Sequence, residues 1–328
     1  MTDSSQQSGL SKEQIDSVIA LFSKGERDKA LSAAKKLIQT SPDNAILHNV
    51  IGACYAAQGQ LGSAVKSYEE AIKIDPEYAK AHYNLGNVLH ELNLEGVGNL
   101  DDPVESYEKS IAIDPNFAEA HNNLGNVLKD SGRLAEAKIS FEKALQINPS
   151  YVEAYYSFGI VLFDLGSFEE SMESYQKAIE INPNFVEAHN NLGNTYKEIG
   201  MLNEAIESYQ KAIEINPNFA EAHNNLGNSF KDIDKHDEAI ISYQKAIEIM
   251  PNYPALYNNL GNAFKALNDL NEALITYSKG LKIDPESLDL LNNLGVVFNE
   301  LGQPDDAVKQ LEKAIVIKPD YAEAHNNL

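Results

Sequence analysis

The stretch EAHNNLGN occurs three times in the chain, at residues 119–126, 187–194 and 221–228, and 323–328 begin a further copy. Identical residues that recur along one chain are one structural part used repeatedly, because separate active sites would not repeat letter for letter. The repetition therefore predicts an array that grows by adding similar elements, each packed on its neighbours, in place of a fold with one central core.

A period of 34 residues can be laid along the chain, and position numbers below count within each repeat. Residues 1–10 are polar and Ser/Gln-rich, which predicts a disordered tail before a single array over 11–328. The complete repeats are 11–44, 45–78, 79–117, 118–151, 152–185, 186–219, 220–253, 254–287 and 288–321, followed by a partial repeat, 322–328. Because this last segment is only half of a helix pair, we expect the sequence to be a fragment of a longer protein.

The third repeat carries five extra residues within 93–102. They predict a loop followed by a second helix that starts late, with Pro103 in its first turn and Asp101 or Asp102 as its N-cap.

Each repeat predicts two helices and no strand. In 186–219, positions 4, 7, 8 and 11 fall on one face of a helix, and Gly200 then interrupts the pattern. Positions 20, 24, 27 and 28 form one face of a second helix, which Pro217 ends because the residue before a proline is pushed out of the α region. The repeat is therefore a helix–turn–helix.

Position 8 is glycine in most repeats, although glycine inside a helix costs about 0.5–1 kcal/mol relative to alanine. The repeated cost predicts that the paired helix approaches so closely that a Cβ would clash. Small residues at positions 20 and 27 and an aromatic residue at position 24 fit the same explanation. These glycines are Gly52, Gly86, Gly125, Gly159, Gly193, Gly227, Gly261 and Gly295.

Glycine, alanine, aromatic residue and proline at these offsets resemble the tetratricopeptide repeat (TPR) family. The resemblance covers 11–328 and implies an all-α fold, a right-handed α-solenoid whose first helices line a concave groove. Tryptophan is frequent at position 4 in the family, whereas this chain mostly has histidine there.

The charge and composition exclude several partners. The net charge of −23 argues against nucleic acid and anionic membranes, which need clustered Lys and Arg, and is compatible with basic protein partners. The single cysteine, Cys54, cannot form an intrachain disulfide. The polar N-terminus lacks a signal-peptide pattern and no apolar run could cross a bilayer, so we expect a cytoplasmic protein.

Asparagines on the first helices are the main candidate binding residues. A carboxamide offers one acceptor and two donors, which suits a peptide backbone, and asparagine is otherwise a mediocre helix former. The ladder looks like that in the repeat arm of O-GlcNAc transferases, a resemblance that implies that these amides hold substrate peptides. Positions 6 and 9 are predicted to bind peptide; position 5, which is Asn122, Asn190, Asn224, Asn258 and Asn292, is left open. The predicted residues are Asn84, Asn123, Asn191, Asn225, Asn259 and Asn293 at position 6, and Asn87, Asn126, Asn194, Asn228 and Asn262 at position 9.

Two further features belong to the candidate site. Lysines at position 12 would form a basic stripe beside the asparagines, or would be solvated and paired with nearby acidic residues; they are Lys129, Lys197, Lys231 and Lys265. The fifth repeat replaces the amides by apolar residues, and Tyr156, Ile160 and Phe163 predict either a ligand side-chain pocket or a contact with the next repeat.

No residues form a catalytic, metal or cofactor motif. Six of the eight histidines occupy position 4, and equivalent residues in adjacent repeats lie about 10 Å apart by helix spacing, too far to share one ion. The sequence contains no Walker loop and no GxSxG motif.

Three hypotheses remain. The first is a non-enzymatic scaffold that binds extended peptides in an Asn-lined groove. The second is the substrate-recruiting arm of a transferase, glycosyl- or sulfotransferase, whose catalytic domain lies beyond residue 328. The third is a scaffold that self-assembles as a homo-oligomer.

Overall fold

The computed structural model describes residues 10–96 and 101–328, which form nineteen α-helices and no strand. The predicted all-α, helix–turn–helix organisation is confirmed. The chain divides into two compact units, one up to Leu165 and the other Gly166–Leu328. The tail predicted for residues 1–10 lies outside the described residues except for Leu10, which packs against a buried cluster that includes Val18, Ala34 and Leu47.

Within the first unit, helices that are adjacent in the chain pack on each other, both inside a repeat and between consecutive repeats. The helices are α1 (Lys12–Ser23), α2 (Arg27–Ile38), α3 (Ala45–Ala56), α4 (Leu61–Ile74), α5 (Ala79–Leu94), α6 (Asp101–Ile113), α7 (Ala118–Asp130), α8 (Leu134–Ile147) and α9 (Val152–Asp164).

The second unit has the same arrangement. Its helices are α10 (Phe168–Ile181), α11 (Val186–Glu198), α12 (Leu202–Ile215), α13 (Ala220–Asp232), α14 (His236–Ile249), α15 (Pro254–Ala266), α16 (Leu270–Ile283), α17 (Leu288–Glu300), α18 (Pro304–Ile317) and α19 (Ala322–Asn327). Successive first helices also contact each other directly, so each unit presents a continuous first-helix face.

The insertion in the third repeat alters both helices. α5 runs to Leu94 and α6 begins at Asp101, while part of the predicted loop, 97–100, lies outside the described residues. Pro103 lies in the first turn of α6, as predicted. The expected N-cap is wrong by a residue or two, because Asp101 and Asp102 are the first two residues of the helix and do not precede it. Asp102 still lies at the helix N-terminus, where the helix dipole favours negative charge.

In most repeats the position 8 glycine lies directly under the position 24 ring; Gly295 lies under Leu311 instead. A Cβ on Gly193 would come 2.6 Å from Cε1 of Tyr209, and a Cβ on Gly227 would come equally close to Tyr243. The prediction of a close helix approach is confirmed, and the aromatic ring is what approaches. The position 24 aromatics are among the largest fully buried side chains in the chain, namely Tyr107, Phe141, Tyr175, Tyr209, Tyr243 and Tyr277.

We predict that Gly227→Ala destabilises the second unit by about 1–3 kcal/mol, because the new methyl group forces the Tyr243 ring out of its place. Urea unfolding followed by far-UV circular dichroism measures the change. Gly62→Ala in α4 is the control, since no atom outside the adjoining backbone of its own helix lies within 4 Å of its Cβ position. The control variant should be neutral or stabilised by less than about 1 kcal/mol. Equal effects at the two glycines would contradict the explanation.

Candidate functional site

The position 9 asparagines are held by the tyrosines at position 24 of the same repeats. In the second unit the hydroxyls of Tyr209 and Tyr243 donate to Oδ1 of Asn194 and Asn228 at 2.8 Å, and Tyr277 donates to Asn262 at 2.7 Å. Burial raises the pKa of these phenols, so the hydroxyls keep their protons. The ring that covers the glycine therefore also orients the next residue along the first helix.

The position 6 asparagines join one repeat to the one before it. Nδ2 of Asn225 donates to Oδ1 of Asn190 at 3.1 Å and to Oδ1 of Asn194 at 3.2 Å. Nδ2 of Asn293 likewise donates to Asn258 at 2.8 Å and to Asn262 at 3.3 Å. The amide hydrogens at position 6 are thus engaged between repeats, and position 5 supplies one of the acceptors. Single bonds of this kind join Asn84 to Asn49, Asn259 to Asn224 and Asn327 to Asn292, and Asn123 donates to Tyr83 and Asn87.

One carboxylate sets the direction of the amides in the sixth and seventh repeats. Nδ2 of Asn190 donates to Oε1 of Glu221 at 2.9 Å, and an ionised carboxylate can only accept. Oδ1 of Asn190 must therefore face Nδ2 of Asn225, which in turn faces Oδ1 of Asn194. The oxygen and nitrogen of these three side chains are assigned by this chain of bonds.

The amide nitrogens at position 9 remain available. Among the described residues no protein acceptor binds Nδ2 of Asn194, Asn228 or Asn262. None of these nitrogens is a buried atom without a partner, so each is accessible to solvent. Asn87 in the first unit is in the same state, since its Oδ1 accepts from Tyr107 and Asn123. Each such repeat therefore presents one oriented N–H donor group on its first-helix face.

The fourth and fifth repeats depart from this pattern. Asn126 has Phe141 at position 24 of its repeat and lacks a hydroxyl partner. Oδ1 of Asn122 is buried without a hydrogen-bond donor. Its expected partner, at position 6 of the next repeat, is Ser157, whose side chain is too short to replace an asparagine. The amide network is therefore interrupted at α9.

The position 12 lysines are partly neutralised. Nζ of Lys197 lies 3.0 Å from Oδ2 of Asp232, and Lys231 lies 3.6 Å from Oδ1 of the same residue. Lys129 lies 3.4 Å from Asp130. Within the described residues, no acidic side chain forms an ion pair with Lys265. A continuous basic stripe is thus reduced to one unpaired lysine in the second unit.

The remaining predicted residues are all placed on first helices. Tyr156, Ile160 and Phe163 are half-buried at spacings of four and three on α9. Asn191 on α11 accepts from Asn190 at 3.4 Å, and half-buried Asn259 donates to Asn224. Whether any of them contacts a ligand stays a prediction.

The position 4 histidines bond to the preceding loop. Nε2 of His189 lies 3.0 Å from the carbonyl oxygen of Pro183, and Nε2 of His121 lies 3.2 Å from that of Pro115. Facing a carbonyl, Nε2 must carry the proton. In the part of the chain that the structure describes, no group of three or more His, Cys, Asp or Glu side chains is placed to hold a metal ion.

Sequence reasoning missed the tyrosine hydroxyls and Glu221. The hydroxyls left a signal, because position 24 is tyrosine wherever position 9 is asparagine, except at Phe141. Glu221 left none, since glutamate at position 2 also occurs where no position 5 asparagine precedes it.

Comparison with known proteins agrees with this architecture. The family model described as TPR repeat matches 52–93, 98–132, 159–200, 193–234, 227–267, 261–302 and 297–328, and the model described as tetratricopeptide repeat matches 118–151. These segments cover most of the chain. The architecture is that of a helical repeat protein, and the chain belongs to the tetratricopeptide repeat family.

Similar proteins match only in part. The TPR repeat-containing thioredoxin TTL4 of Arabidopsis thaliana is 37% identical over 68 residues, which is 21% of this chain and 10% of that protein. The peroxisomal targeting signal receptor of Candida albicans is 34% identical over 68 residues, 21% of this chain and 12% of that protein. The solved structure of YrrB, described as a TPR protein with an unusual peptide-binding site, is 29% identical with a TM-score of 0.51, and covers 58% of this chain and 96% of YrrB. Within the described residues, no helix is both long and apolar enough to cross a membrane.

We predict that Ser157→Asn stabilises the first unit by about 1 kcal/mol, because its amide would donate to the unpartnered Oδ1 of Asn122. Ser157→Asp is the control, since it has the same shape without donor hydrogens and should give no gain. Urea unfolding of the two variants and the wild type decides the matter. Equal stability of all three would show that Asn122 needs no donor.

We also predict that the folded state loses stability as the pH falls below about 6.5, the ordinary pKa of histidine. Burial lowers the pKa of His121 and His189 in the folded chain, so the unfolded chain binds more protons in this range. His121→Tyr with His189→Tyr should reduce this dependence, because Tyr257 already donates to the equivalent carbonyl of Pro251 at 2.8 Å. Thermal unfolding between pH 5.5 and 7.5 measures this pH dependence of stability. If the melting temperatures of variant and wild type change in parallel with pH, the prediction is wrong.

Proposed function

We propose that this chain is a non-catalytic scaffold that binds extended polypeptide segments along its first-helix faces through the position 9 amides. The observation that carries the proposal is the common orientation of Asn194, Asn228 and Asn262, each with its oxygen engaged by a tyrosine and its nitrogen free. A row of donors fits a ligand that offers a row of acceptors.

An extended polypeptide backbone is such a ligand. Neighbouring helices pack about 8–10 Å apart, and an extended chain advances about 3.3 Å per residue. Each repeat would therefore meet the backbone at about every third residue, where a carbonyl oxygen can accept from the amide. Recognition of this kind depends on an extended conformation more than on side-chain identity.

The comparisons support a peptide ligand. The YrrB structure is described by its peptide-binding site, and the Candida relative is a receptor for a targeting signal. The net charge of −23 favours a segment with basic residues, because electrostatic attraction would accelerate its encounter with the scaffold.

The other hypotheses stay predictions. The sequence beyond Leu328 would test the transferase arm, and sedimentation at several concentrations would test self-assembly. A cytoplasmic location is likewise a prediction, which fractionation of cells would check.

The test exchanges donors for acceptors without changing shape. Asn228→Asp with Asn262→Asp keeps an oxygen for each tyrosine hydroxyl and replaces each free amide nitrogen by a carboxylate oxygen. Two lost hydrogen bonds at about 0.5–1.5 kcal/mol each should weaken binding about tenfold or more. The probe is a set of fluorescein-labelled dodecapeptides that the wild-type chain selects from a random display library, and anisotropy gives their affinities.

Asn203→Asp with Asn271→Asp is the matched control. It adds the same two charges at exposed positions on α12 and α16, the second helices of their repeats. The control should bind like the wild type, and circular dichroism should show equal helicity for all three proteins. If both double variants bind equally well, or if no peptide is selected, the proposed function is wrong.

A further inference from the structure

An apolar pocket lies beside the asparagine row in the second unit, where α14 connects to α15. It has a volume of about 370 Å³ and is lined by Ala220, Glu221, Asn224, Met250, Tyr253 and Leu256, which we call the Met250 pocket. Three of its residues come from the start of α13, two from the loop between α14 and α15, and one from α15. It therefore opens next to first-helix residues.

The pocket exists because one loop departs from the repeat. In the neighbouring repeats position 31 is Asn182, Asn216 or Asp284, whose Oδ1 accepts the backbone N–H two residues later at 3.1–3.2 Å. Met250 cannot make this bond, and its side chain is 47% exposed. Tyr253 at position 34 is 51% exposed, whereas the equivalent Phe219 is half-buried. Two large apolar side chains are thus exposed to solvent in this loop, and the side-chain bond that stabilises the neighbouring loops is missing.

The polar atoms at the edge of the pocket are directional. Oδ1 of Asn224 accepts from Asn259 at 2.9 Å, so its Nδ2 is left as a donor without a protein partner among the described residues. Glu221 is exposed and holds Asn190 with one oxygen. Within the described part of the chain, no Lys or Arg forms an ion pair with Glu221. The pocket therefore combines an apolar floor, one N–H donor and one unpaired carboxylate.

We propose that the Met250 pocket binds a large apolar side chain (Leu, Met or Phe) of the polypeptide segment, with a basic residue next to it. Leu256, Met250 and Tyr253 would cover the apolar side chain, and the flexible thioether of Met250 adapts to different shapes. Asn224 would donate to the backbone carbonyl, and Glu221 would attract the basic neighbour. This inference rests on the proposed function, and it adds a sequence preference to a face that otherwise recognises the backbone.

The polar groups at the edge of the Met250 pocket indicate which kind of ligand it binds. An entirely apolar partner would leave the Asn224 nitrogen and the Glu221 carboxylate without partners, which is unfavourable once water is excluded. A basic residue beside the apolar one satisfies the carboxylate and also suits the net charge of −23.

The experiment is a positional scan of the peptides that bind the full chain. Each position of the tightest-binding labelled dodecapeptide is changed in turn to Ala, Leu, Met, Phe, Lys and Glu, and anisotropy gives the affinities. At one position the wild type should favour Leu, Met or Phe over Ala by about tenfold, the expected effect of burying one such side chain. At an adjacent position it should favour Lys over Glu.

Two variants remove the pocket by using residues that other repeats already contain. Met250→Asn introduces the residue that occupies the equivalent positions 182 and 216, and Tyr253→Ser introduces the residue that occupies the equivalent position 287. Both should fold and lose most of the apolar preference. Glu221→Gln should remove the preference for Lys and keep the preference for an apolar side chain, since its remaining oxygen can still accept from Asn190. Ile241→Gln is the control, because Ile241 is 61% exposed on α14 outside the pocket, and this variant should keep both preferences.

The outcomes separate this inference from the proposed function. If peptides bind and depend on Asn228 and Asn262, but the apolar preference is absent or survives in both pocket variants, the inference fails and the proposed function stands. If no peptide binds, both fail. If Met250→Asn instead dissolves a dimer seen by sedimentation, the pocket holds a second copy of the chain and the inference is overturned.

Discussion

The contact between the position 24 ring and the position 8 glycine determines much else in this protein. Where position 24 is aromatic, the ring fills the place that a Cβ would take, so the two helices of such a repeat pack closely with glycine at position 8. The same ring carries the hydroxyl that binds the next residue, as in Tyr209, which covers Gly193 and donates to Asn194. One side chain therefore sets both the packing of the repeat and the direction of an amide on its surface.

This arrangement divides the asparagines between two roles. Those at positions 5 and 6 bond across repeats, where a lost partner leaves a buried polar atom unpaired, as Asn122 shows. Those at position 9 accept from inside the repeat and keep their N–H groups outside. Carboxamides suit both roles because each side chain is a donor and an acceptor at once. The repeats can hence be joined by polar bonds while a binding surface stays available.

The sequence predicted the helical repeats well, because glycine, aromatic and proline residues recur at spacings that only paired helices explain. It also located the asparagines but could not assign their atoms. The period and the helix face place Asn225 near the surface, but only the folded structure shows that its Nδ2 donates to both Asn190 and Asn194. The lysines illustrate the same limit, because the partner of Lys197 is Asp232 in the next repeat, 35 residues away. Met250 and Tyr253 were overlooked because a single departure in a loop has no periodic signal.

The central claim is that position 9 amides bind ligand while position 6 amides hold the repeats together. Side-chain amide signals in a ¹H–¹⁵N correlation spectrum test it directly, with a selected dodecapeptide added to the full chain. The Nδ2 signals of Asn228 and Asn262 should shift on binding, while those of Asn225 and Asn293 stay in place and exchange slowly with solvent because of their bonds between repeats. Shifts confined to position 6, or no asparagine shift in a peptide complex, would contradict the account.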